Sequence, residues 1–267
     1  KGYTYNVSLK LEKSFNFGLD VMAAYTYGES KSINSASSSV AYSNWRYNEI
    51  KGNPNAPELS VSDYSIPHRI VASLSYGKEY AKHFKSTVSL VYTGQSGAPY
   101  NVTYYGDLNG DGSNGNDLIF IPTDEQIDAM QFTASGGLEP EQQKADLKAF
   151  LGNAKYLKDH RGEYYERNSD RMSFEHHFDF RFLQDFRFKV GKDMHTLQFS
   201  VDIMNVGNLL NRKWGLESYM SNNSYTPITA ARNGAFQYTQ GADYDPFKEI
   251  SNISSRWRCQ LGLRYIF

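Results

Sequence analysis

Apolar side chains recur at every second position in several stretches of this chain, most cleanly in the last. In SRWRCQLGLRYIF, residues 255–267, Trp257, Cys259, Leu261, Leu263, Tyr265 and Phe267 alternate with Arg258, Gln260, Gly262, Arg264 and Ile266. Side chains two residues apart share a face only on an extended backbone, so this stretch predicts a strand with an oily side and a polar side. The same period runs through Tyr3 to Leu11, Phe17 to Tyr27, Ile70 to Tyr76, Phe84 to Tyr92, Phe174 to Phe186 and Leu197 to Ile203. The alternate positions collect Asp20, Arg69, Ser73, Thr87, Ser89, Asp179, Arg181, Gln198, Asp202, Arg258 and Arg264, charges of both signs.

Connections between these strands alternate in length. Short turns near 13–16, 77–83 and 190–194 predict three hairpins, whereas long stretches near 29–66, 94–172 and 207–252 separate the hairpins. Outer-membrane barrels distribute periplasmic turns and extracellular loops in this way. With the short turns periplasmic, the seventh strand runs inward and leaves Phe267 on the periplasmic side. A one-residue slip of the last strand would turn Arg258 and Arg264 into lipid, at about 2 to 4 kcal/mol each near the midplane, so the aromatic face points outward. A soluble β-sandwich alternates too, but rarely contains connections of such length. The expected fold class is therefore all-β: an antiparallel transmembrane β-barrel segment of about seven strands with long extracellular loops. Seven strands leave two unpaired edges, costly in lipid, and bacterial single-chain barrels use even numbers, so the chain reads as a fragment with a native C-terminus and a cut N-terminus.

Composition agrees with a barrel. Of 267 residues, 15% are aromatic, with 21 Tyr and 16 Phe, as expected where girdles of aromatics meet both membrane interfaces. Mean hydropathy is −0.61, and no apolar run approaches the 18 or so residues of a membrane helix. The first residues lack the apolar core of a signal peptide. A net charge of −1 leaves no basic footprint for nucleic acid. The lone Cys259 excludes an internal disulfide and a multi-cysteine metal site, and its place on the lipid face suppresses thiol reactivity.

Few motifs carry chemistry. Gly110, Gly112 and Gly115 satisfy G-x-G-x-x-G, but no helix is predicted to follow, so dinucleotide binding lacks its context. Asp107, Asn109, Asp111 and Asp117 resemble the start of a calcium loop, with Gly112 at the turn. Position twelve is Leu118 in place of Glu, so two readings stand: a bound Ca2+ with altered geometry, or successive Asx and glycine turns. His176 and His177 are strand neighbours on opposite faces and cannot share a metal. Asp179 and Asp202 need no role beyond a solvated wall, and nothing supports an enzyme. In the longest loop, Thr123 and Gln126 predict a capping box, and Pro140 opens a helix that Gly152 can end. Loop aromatics Trp45, Tyr47, Tyr100, Tyr104 and Tyr105 are candidates for stacking on sugar rings or peptide side chains, with packing between loops as the alternative.

The segments YTGQSGAPY, GDLNGDGSNGNDLIFIP, HRGEYYERNSDR and FSVDIMNVGNLLN, with the terminal aromatic strand, resemble the C-terminal part of TonB-dependent outer-membrane transporters of the Bacteroidetes type, the SusC-like and Oar-like receptors. The resemblance spans essentially the whole chain. It implies the last seven strands of a barrel of about 22, occluded by an N-terminal plug, that imports glycans or peptides when the TonB complex remodels the plug. It also implies partners: the remaining strands and plug, a surface lipoprotein in SusC-like members, and the barrel-assembly machinery, which would read Trp257, Leu261, Leu263, Tyr265 and Phe267 as an insertion signal. Two alternatives differ in class: a secreted β-rich ligand-binding module with a calcium-stabilised loop, and a non-transporting adhesin on a barrel.

Overall fold

The alternation along the chain becomes one antiparallel meander. The computed structural model describes residues 2–230, 234–249 and 253–267. Seven long strands lie side by side in chain order: β1 (Tyr3–Ser14), β2 (Leu19–Ser32), β3 (His68–Tyr80), β4 (Phe84–Gln95), β5 (Glu175–Val190), β6 (Asp193–Met204) and β7 (Arg258–Ile266). Each pairs antiparallel with its neighbours, and β1 and β7 form the edges of the sheet. Several strands exceed the 9 to 11 or so residues that a tilted strand needs to cross a bilayer.

Two adjacent rows show how register partitions the side chains. Val21, Leu74, Leu90, Phe180, Ile203 and Cys259 are consecutive partners across six strands. One position away, Asp20, Ser75, Ser89, Arg181, Asp202 and Gln260 form an equally unbroken row. Because side chains alternate, the oily row lies on one face and the polar row on the other. On β7 the oily face stands largely uncovered: Leu261 is 67% and Leu263 is 73% exposed. On the polar face Arg181 donates to both Asp202 oxygens, and Gln198 donates to Asp185 at 2.8 Å.

The short turns lie at one end of the sheet. Residues 15–18 join β1 to β2, where Gly18 adopts φ +94° and a Cβ would sit 2.2 Å from the Gly77 carbonyl oxygen, so only glycine fits. Ala81 and Lys82 turn β3 into β4 with positive φ, and Gly191 and Lys192 turn β5 into β6. The long connections, 33–67, 96–174 and 205–257, share the other end. Their bounds differ from the sequence expectation, most at the end of the third connection and next at β2. It continues through Glu29 to Ser32 because Tyr3, Thr4 and Tyr5 pair with Lys31, Ser30 and Glu29, with Thr4 and Ser30 hydroxyls 2.8 Å apart. Within the expected 207–252 loop, residues 231–233 and 250–252 lie outside the described residues.

The hydrophobic core sits wholly within these connections. Among the described residues, no apolar side chain of the seven strands is buried, whereas Val102, Ile119, Ile121, Ile127, Leu147, Leu151, Tyr165, Ile228 and Tyr238 are sealed in the loop body. Its sheet is ordered Phe236–Gln237, Ser224–Ala230, Pro99–Tyr105, Asp170–Arg171, with the central pair parallel and shifted in register around Pro227. Three helices pack on it. Thr123 and Gln126 do form a capping box at Asp124–Ala129, and Pro140 occupies the first turn of Pro140–Asn153. Gly152 does not end that helix. The break comes at Ala154, in extended backbone, before Lys155–Asp159. Buried Gln143 spends its whole amide, donating to the Thr133 and Leu138 carbonyls and accepting from the Tyr238 amide.

Candidate functional site

The HRGEYYERNSDR segment fastens the loop body to the wall and to the first loop. Tyr165 is fully buried and donates to the Tyr100 carbonyl at 2.8 Å. The buried Arg167 guanidinium reaches the Ser32 and Ile33 carbonyls at the top of β2 and the Asn48 amide oxygen. Asn168, held at φ +59°, exchanges hydrogen bonds with Asn101 and donates to the Val61 carbonyl and the Asp63 carboxylate. Arg171 donates to the Ser65 and Gly97 carbonyls. Beside this cluster, desolvation and the Asp63 carboxylate push the Glu49 carboxyl up to about 7, against the pull of Arg167.

The candidate stacking aromatics separate into two groups. Tyr47 and Tyr105 are 65% and 60% exposed, and Trp45 stacks on Tyr42 at 6.0 Å while donating to Asn55 at 3.1 Å. Tyr100 and Tyr104 are not exposed loop aromatics. Both are buried, because alternate residues of Pro99–Tyr105 face the apolar core where helices cover the loop sheet. Burial and a hydrogen bond to the Phe120 carbonyl accompany a Tyr104 phenol pushed up to about 12, burial being the raising cause.

Tyr100 instead contributes to a cavity of about 500 Å³. Its walls include Phe150, Tyr225, Tyr244 and Phe247, with ring centroids 5.2 to 6.2 Å apart. The Tyr100 hydroxyl donates to the Asp170 carboxylate within it. Burial, then this hydrogen bond, holds the Tyr100 phenol far above its ordinary range, so it stays a neutral donor. Asp243 and Asp245 add further carboxylates to the lining, and Lys155 and Arg171 add cations. Faces of aromatic rings beside oriented carboxylates suit a ligand with flat apolar surfaces and hydroxyl or amide hydrogens. Sequence reasoning missed Phe150, Asp170, Tyr225, Tyr244 and Phe247 as a group. Their only sequence signal was the quoted segment holding Asp170, since the others come from two further parts of the chain.

The acidic-asparagine loop is tightly self-bonded. Asp107 accepts from the amides of Gly110, Asp111 and Gly112, and Asp111 accepts from the Ser113 amide and the Asn109 and Asn116 side chains. Asp117 accepts from the Leu108 and Asn109 amides while burial raises its pKa. The four residues thus come together as linked Asx turns. Among the described residues, no three His, Cys, Asp or Glu side chains converge to hold a metal. His176 bonds the Tyr92 hydroxyl at 2.8 Å on the oily face, and His177 lies 3.8 Å from Glu217 of the third loop. Trp257, Leu261, Leu263, Tyr265 and Phe267 are all exposed on the oily side of β7.

A family model described as an outer membrane beta barrel domain matches residues 3–240. The chain belongs to the outer membrane β-barrel domain family. Its place is the bacterial outer membrane. No curated protein and no solved structure matches it. For a member of this family the uncovered apolar rows have a natural solvent, because hydrocarbon removes the cost of leaving Leu261 and Leu263 without protein neighbours. The short turns and long connections then lie at opposite membrane surfaces.

Proposed function

We propose that this chain is the C-terminal barrel segment of a TonB-dependent outer-membrane transporter that imports large nutrients, glycans or peptides. In this reading the seven strands complete a barrel of about 22 with upstream strands and a plug. The long connections are extracellular and capture solute, the polar row lines the lumen, and no reaction is catalysed. The aromatic cavity of Tyr100, Phe150, Tyr225, Tyr244 and Phe247 carries the proposal, because a barrel serving only as a wall has no use for a folded loop body with a ring-lined chamber. Charged and polar side chains along Asp20, Arg181, Asp202 and Gln260 supply a hydrated path beneath it.

The test is uptake by cells making the intact protein, offered fluorescent oligosaccharides and peptides. Uptake should require TonB and should fall at least tenfold in Tyr244→Ala with surface abundance unchanged. Uptake that persists in cells lacking TonB would refute transport of this kind.

A further inference from the structure

A second cavity, of about 570 Å³, opens on the oily face at the loop end of the wall. Phe174, just before β5, and His176 and Phe178 at its start line the groove together with Lys213, Trp214 and Leu216 of the third connection. We propose that this groove holds the acyl chain of an anionic membrane lipid, with Lys213 and Arg212 at its headgroup. The inference needs the bilayer placement of the family but not transport.

The groove is built by the chain's own locks. Asn205 sits at φ +53°, its amide donates to Asp179 at 2.8 Å, and its side chain donates to the Gly215 carbonyl at 2.8 Å. Gly215 is at φ +63°, where a Cβ would fall 1.9 Å from the Asn205 side-chain oxygen, so the chain passes here only as glycine. Asn208 donates to the Arg212 and Trp214 carbonyls and accepts from the Trp257 amide. These bonds fix Trp214 opposite Phe178, both near Gly207. Trp214 nevertheless remains 56% exposed, a large ring held in place without protein to cover it.

β5 is hydrogen-bonded to β4 on one edge and β6 on the other, so no further strand can pair with it here. The groove is continuous with the hydrocarbon-facing rows through Phe178, and its upper end lies in the final rows of the β4–β5 pair, at His176 and Gly94. Aromatic rings at that level mark the interface, where headgroups lie. Arg212 and Lys213 are exposed, and neither joins an ion pair among the described residues; Glu217, the nearby acid, faces His177. Apolar slot and unmatched cations together fit a lipid that carries net negative charge.

The experiment reconstitutes the intact protein in phosphatidylcholine vesicles containing dibrominated phosphatidylglycerol or, in parallel, dibrominated phosphatidylcholine. Bromine quenches tryptophan on contact, and the difference between wild type and Trp214→Phe isolates the Trp214 signal. The expected result is strong quenching of Trp214 by the anionic lipid over the zwitterionic one, with that preference falling about fivefold in Lys213→Gln and again on adding Arg212→Gln. Equal quenching by both lipids, or a preference that survives both substitutions, would overturn the proposal. So would absence of Trp214 quenching in vesicles where Trp257 is quenched, a result that leaves the barrel and its transport role intact.

Discussion

The wall and the loop body use the same residue types in opposite directions. In the wall, leucines, phenylalanines and tyrosines other than Leu183 stand on the oily face, and among the described residues none is buried; in the loop body Leu147, Leu151, Phe150, Tyr165 and Tyr238 are sealed within a core. Solvent explains the inversion. Loop residues gain by leaving water, at about 25 cal/mol for each Å² of apolar surface buried, whereas wall residues are already surrounded by hydrocarbon. A hydrogen-bonded ladder holds the wall, because an unmade backbone bond in lipid costs several kcal/mol. Packing holds the loops.

The two regions should therefore break differently. The largest effect is expected from Leu151→Ala, at about 2 to 5 kcal/mol from the loop body, since Leu151 is fully buried on the Pro140–Asn153 helix. Limited proteolysis of intact cells should then cut within 96–174 while the barrel remains heat-modifiable on gels. Next comes the wall, where Leu261→Arg should cost about 2 to 4 kcal/mol near the midplane and suppress the heat-modifiable form, whereas Gln260→Arg, facing the polar side, should leave it. Thr123→Ala should cost about 1 kcal/mol through the lost cap and raise amide exchange only over Asp124–Ala129.

A pH dependence is expected at the junction of the two regions. The folded Glu49 carboxyl titrates near 7 against an ordinary 4.5, so between these values the folded state binds the extra proton. Stability of the junction is thus highest below about pH 4.5 and falls as pH rises to about 7. Amide exchange around 48–63 should quicken over that window, and Glu49→Gln should flatten the response.

What the sequence revealed follows the same division. A period of two is a local signal, so the wall could be read from neighbours alone, including which residues share a face. The loop body depends on distant pairing. Tyr100 and Tyr104 lie on a strand that becomes internal only when Ser224–Ala230 joins it in parallel, more than a hundred residues later, and no local pattern foretells that. The same distance hid the cavity, whose rings come from three separate parts of the chain. Gly152 misled because its place inside a packed helix is decided by Phe150 and Leu151, which bury that turn. The asparagines 205 and 208 lay in plain view, yet their work depends on backbone groups at 212–215 and 257 that only the folded connection brings near.

Adjacent residues of β7 offer the most direct test of the partition. A nitroxide placed on Cys259, or on Gln260→Cys in a Cys259→Ser background, reports collisions with molecular oxygen, which concentrates in hydrocarbon, or with a neutral nickel chelate, which stays in water. In native membranes position 259 should be relaxed mainly by oxygen and position 260 mainly by nickel. Equal nickel access at both positions would contradict the account.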